Sequence, residues 1–122
     1  MWLRPSPHRK HQQMEIDLTK EEWKERLAAA DNAVVLDVRT PQEWADGVQP
    51  KARMLNVMDR TKFVEVTATL DKNKTYFVYC RSGARSANAC QYLQAMGFEK
   101  VHNLLGGMLE WDGEVVPMNS EY

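Results

Sequence analysis

The chain has 122 residues, 43% of them apolar and 27% charged, which suits one soluble domain with a single core. Sixteen basic and seventeen acidic residues leave a net charge of −1, so bulk charge points to neither nucleic acid nor a membrane surface. Two cysteines make no disulfide framework, and no apolar run approaches the roughly 20 residues of a membrane span.

Residues 1–13 hold two prolines and a basic, histidine-containing run with little to bury, and read as a disordered or loosely attached tail. The domain is expected over 14–122. The first fourteen residues carry Arg4, Arg9 and Lys10 and no acid, so the rest is acidic. Their lack of a secretory apolar stretch predicts a cytoplasmic protein with reduced thiols. Glu15 to Leu18 predicts a short edge strand. Thr19 and Glu22 have capping-box spacing, and Trp23, Leu27 and Ala30 share a face, which predicts a helix over 19–30. The β-branched run Ala33–Asp37 predicts a buried parallel strand. Thr40 and Pro41 are an N-cap and a first-turn proline, opening a short helix to about Asp46. Further strands are predicted over 53–57, 75–79 and 101–104, and helices over 60–70 and 86–96, with a short one after Gly106. Gly97 supplies the C-terminal stop of the second. Strands alternating with helices predict an α/β domain with a parallel sheet and right-handed crossovers.

The stretch that carries chemistry joins the fourth strand to the next helix: Cys80-Arg81-Ser82-Gly83-Ala84-Arg85-Ser86. In such folds ligands bind beyond the carboxyl ends of the strands, where Cys80 falls. Loop N–H groups converging on one anion, the following helix dipole, and Arg81 and Arg85 all favour thiolate over thiol. Gly83 lets the backbone turn where a Cβ would clash.

The six residues Cys80-Arg81-Ser82-Gly83-Ala84-Arg85 resemble the active-site loop of the rhodanese family of sulfurtransferases. Leu36-Asp37-Val38-Arg39-Thr40-Pro41-Gln42-Glu43-Trp44 resembles that family's second signature, and Leu105-Gly106-Gly107-Met108 with Trp111 its closing segment. The similarity runs from about Leu18 to Pro117. It implies a rhodanese-like three-layer domain, a five-stranded parallel sheet with helices on both faces. It also implies an enzyme of the thiosulfate sulfurtransferase type. Cys80 would take sulfane sulfur from thiosulfate or a persulfide donor, become a persulfide, and pass the sulfur to a thiol, protein or cyanide acceptor. Arg81, Ser82, Gly83, Ala84, Arg85 and Ser86 would bind the anionic donor, with Arg85 on the departing sulfite. Relatives commonly carry histidine where Val48 stands and glycine where Lys51 stands.

Other candidates read more simply. Asp37 is either a proton donor or a brace for the next loop, pairing with Arg39 or capping a turn. Arg39 and Glu43, four apart, read as a local ion pair. Trp44 packs its helix on the sheet. Cys90 and His102 read as core residues. The absence of a motif around any histidine argues against acyl chemistry, which wants a histidine base; attack of a thiolate on sulfur moves no proton. No spacing suggests a metal, a cofactor or a nucleotide site. A cysteine phosphatase or arsenate reductase would need five residues between cysteine and arginine, against four here. A non-catalytic sulfur-carrier or interaction module is the remaining alternative.

Overall fold

A computed structural model of the chain describes residues 16–118. The predicted tail and Glu15 lie outside them. The strands are β1 (Asp17–Leu18), β2 (Ala33–Asp37), β3 (Arg53–Met54), β4 (Thr75–Tyr79) and β5 (Val101–Leu104). The helices are α1 (Lys20–Ala29), α2 (Pro41–Trp44), α3 (Arg60–Thr67), α4 (Ala84–Ala95) and α5 (Gly107–Glu110). All five strands run parallel in the order β1-β5-β4-β2-β3. The α/β architecture inferred from the sequence is the one found.

Side-chain alternation along β4 divides the core in two. Tyr76, Val78 and Cys80 pack with Phe63 of α3 and Ala89, Cys90 and Leu93 of α4. Phe77 and Tyr79 pack on the other face with Trp23 of α1, Val48 and Leu104. Trp23 is fully buried, edge-on to Phe77 at 5.3 Å, and its indole N–H donates to Gln49 Oε1 at 3.1 Å. The capping box predicted at Thr19 is formed, with Thr19 N–H on Glu22 Oε1 and Glu22 N–H on Thr19 Oγ1. The same reciprocal pair forms between Thr40 and Glu43 at the start of α2.

Several boundaries differ from those expected. β3 ends at Met54 rather than Val57. Leu55 N–H still donates to Asp37 O at 2.9 Å, but Asn56 then turns the chain by accepting Met58 N–H on its side chain. α2 ends at Trp44, two residues early, and α3 stops at Thr67, whose hydroxyl donates back to Phe63 O. α4 begins at Ala84, two residues before the predicted start, because Gly83 in a left-handed conformation serves as its N-cap.

Val48 is fully buried and bridges Val116 through two backbone hydrogen bonds of 2.8 Å, which fasten the C-terminal segment to the domain. Lys51 has φ +64, the left-handed region that glycine enters without steric cost. That conformation would suit the glycine that the resemblance leads one to expect there.

Candidate active site

β4 carries Cys80 to the carboxyl edge of the sheet, one residue past Tyr79, which lies level with Asp37 of β2. The chain then turns through Arg81, Ser82 and Gly83 into α4. Gly83 has φ +101, and a Cβ on it would come within 3.2 Å of Leu104 O. This turn aims its donors at the sulfur. Gly83 N–H donates to Cys80 Sγ at 3.1 Å, Ser86 N–H at 3.4 Å, and the Ser86 hydroxyl lies at 3.3 Å. Burial alone would raise the pKa of Cys80. The hydrogen bonds from Ser86, Gly83 and Ser82 outweigh it and bring the thiol below its ordinary value. Backbone and hydroxyl donors, rather than the two arginines, dominate this shift.

Behind Ser86 stands a residue that the sequence reading passed over. Asn103, buried in β5, donates from Nδ2 to Asp17 Oδ1 at 3.0 Å and to Gly83 O at 3.3 Å. Its Oδ1 therefore faces the Ser86 hydroxyl as an acceptor. Ser86 has one hydroxyl proton. That proton can serve Asn103 Oδ1 or the sulfur, one at a time.

α5 braces the loop from the opposite side. Met108 N–H donates to Cys80 O and Leu109 N–H to Arg81 O, both at 3.0 Å. The approach is close enough that a Cβ on Gly107 would sit 2.6 Å from Cys80 O and nearer still to Arg81 O. Gly107 is thus part of the site's construction.

The charged groups pair differently from the expectation for Arg39 and Glu43. Arg39 instead folds back on Asp37, Nε to Oδ1 at 2.9 Å and NH2 to Oδ2 at 2.7 Å, and also donates to Gly47 O. Trp44 Nε1 adds a bond to Asp37 Oδ1 at 3.2 Å. Asp37 is fully buried within these bonds and acts as the brace of its loop. Glu43 reaches across to Arg85, Oε1 to NH1 and Oε2 to NH2, both 2.9 Å. The Arg85 guanidinium, helped by Thr40, overrides burial and holds the Glu43 carboxyl at about 2. Arg81, Ser82 and Ala84 are exposed around the loop, while Gly83 and Ser86 are buried.

Cys90 has the opposite environment from Cys80. It is buried on α4 with its thiol donating to His102 O at 3.5 Å, and burial pushes its pKa up to about 12. The His102 ring lies against Phe77 at 5.0 Å. Among the described residues no cluster of His, Cys, Asp and Glu could hold a metal ion, and no helix is long and apolar enough to cross a membrane.

Comparison with known proteins places this geometry. A model of the rhodanese-like domain matches residues 19–114. A putative sulfurtransferase of Bacillus subtilis, YtwF, is 41% identical over 107 residues, covering 87% of this chain and all of that one. A sulfurtransferase of Allochromatium vinosum is 34% identical over 103 residues, covering 84% and 92%. Among solved structures, a rhodanese-like domain protein of Staphylococcus aureus superposes with a TM-score of 0.72 at 32% identity, over 84% of this chain and 98% of that one.

Proposed function

The chain belongs to the rhodanese-like domain family, and from that premise we propose that it transfers sulfane sulfur through a persulfide on Cys80. The observation that carries this reading is the convergence of Gly83 N–H, Ser86 N–H and the Ser86 hydroxyl on one buried sulfur. A cradle of donors around a cysteine favours an anionic sulfur in both the resting and the loaded state.

In the first half-reaction the Cys80 thiolate attacks the outer sulfur of thiosulfate or a persulfide. A bond from Sγ to that sulfur forms, and the donor's S–S bond breaks with its electron pair leaving on sulfite or on the donor thiolate. In the second, an acceptor thiolate or cyanide attacks the outer sulfur and the Cys80 thiolate is restored. No step needs a metal or a cofactor. The loop residues Arg81, Ser82, Gly83, Ala84, Arg85 and Ser86 surround the incoming sulfur, and a thiol on a protein is the acceptor class expected in a reducing cytoplasm. A phosphatase reading needs the Arg85 fork open to phosphate, whereas here both prongs lie on Glu43.

Steady-state transfer from thiosulfate to cyanide tests the reading. Parallel double-reciprocal lines are expected for the wild-type protein, the mark of a covalent intermediate. Converging lines, which require both substrates on the protein together, would contradict it.

A further inference from the structure

Glu43 forms and breaks no bond in the transfer chemistry, yet it occupies both prongs of the Arg85 guanidinium, where the departing oxyanion was expected to bind. Glu43 is not a loosely held rim carboxylate. Thr40 N–H and the Thr40 hydroxyl both donate to its Oε1 at 3.0 Å, so it is fixed by the capping box of α2. An anion reaching for Arg85 must share the guanidinium with a carboxylate that cannot withdraw without opening that cap. Arg39 is likewise closed on Asp37, which leaves Arg81 as the exposed guanidinium of the loop. The mouth is therefore far less positive than its arginine count suggests.

A second observation concerns shape. A cavity of about 400 Å³ opens beside Arg85 between α3 and α4; Val57, Phe63, Val64, Ala89 and Tyr92 give it an apolar lining, and Arg60 and Arg85 also line it. Thiosulfate has no carbon with which to fill it. An organic donor has.

Resting on the reading of Cys80 as the sulfur carrier, we propose that Glu43 is a specificity-determining residue. It disfavours the thiosulfate dianion, and the adjoining cavity takes the apolar body of a singly charged organic sulfane donor. For an arylthiosulfonate the step balances without a further reactant. The Cys80 thiolate attacks the outer sulfur, the S–S bond breaks, and the electron pair leaves on the arylsulfinate. For an organic persulfide the leaving thiolate takes the proton of the outer sulfur.

The probes are benzenethiosulfonate and thiosulfate, compared by kcat/KM with cyanide as acceptor. The wild-type protein should favour the organic donor by about tenfold or more. Glu43→Gln keeps the capping box, since Gln serves at that position, and removes the charge. It should move the donor ratio at least about fivefold toward thiosulfate, while alkylation of Cys80 by neutral iodoacetamide stays within about twofold. Val64→Asn, at an exposed position of the cavity, should also move the ratio about threefold or more toward thiosulfate by putting a polar amide where the apolar body lies, with no change of charge. A wild-type preference for thiosulfate, or an unchanged ratio in Glu43→Gln, would overturn the inference. If Cys80 takes sulfur from neither donor, the underlying reading fails instead.

Discussion

A single hydroxyl proton links three residues at the heart of the site. Ser86 has one proton for two acceptors, Asn103 Oδ1 and Cys80 Sγ. Ser86→Ala removes a donor to the thiolate, so the midpoint of the iodoacetamide rate against pH should rise. An unchanged midpoint would mean that the backbone donors alone set the ionisation. The same substitution leaves Asn103 Oδ1 buried without its donor, a loss of roughly 1–3 kcal/mol that urea unfolding would register. Cys80 and its loop were legible in the sequence because they are local: an apolar strand, a glycine turn and a helix start within a dozen residues. Asn103 was not. A polar residue in the strand Val101–Leu104 acquires meaning only beside Asp17, Gly83 and Ser86, which are distant in the chain.

The element that gives the loop its shape is α5. Its first N–H groups hold the carbonyls of Cys80 and Arg81, and Gly107 has φ +54 where the backbones touch. Gly107→Ala places a Cβ against those carbonyls in a left-handed conformation, which alone costs about 1–2 kcal/mol. The loop must shift, turning the N–H groups of Gly83 and Ser86 off the sulfur. Transfer activity should fall by at least about tenfold, by the steep dependence of rate on misplacement, while the helical circular dichroism persists. Full activity in that variant would show that the contact with α5 is incidental. Helix starts were readable from Thr19, Thr40 and Gly106 because caps are local. The pairing of Glu43 was misread for the same reason. Spacing of four residues suggested Arg39, but the chain around Asp37 turns Arg39 back on its neighbour, and Glu43 finds Arg85 forty-two residues on.

Across the whole molecule the two cysteines share one core cluster yet differ in environment. The Cys90 thiol stays protonated in the folded state up to about 12, whereas the unfolded thiol ionises near 9.0. The unfolded state therefore loses its proton first. The stability contributed by the neutral thiol is full below about pH 9 and is lost as pH rises toward 12, by up to about 1.4 kcal/mol per pH unit. Cys90→Ala should flatten the fall of the urea midpoint over that range relative to wild type and keep transfer activity. An identical alkaline slope, or loss of turnover in a folded variant, would contradict the assignment of Cys90 to the core. The parallel α/β class followed from strands alternating with helices, which a sequence displays directly; the strand order and the closing of charges at the mouth did not, because they depend on which distant segments meet. The central claim is that Cys80 alone carries the sulfur. Intact mass after incubation with benzenethiosulfonate or thiosulfate tests it most directly, in wild type, Cys80→Ala and Cys90→Ala. One added sulfur atom, removed by dithiothreitol, is predicted for wild type and Cys90→Ala and none for Cys80→Ala. Sulfur retained by Cys80→Ala, or absent from wild type with both donors, would contradict the account.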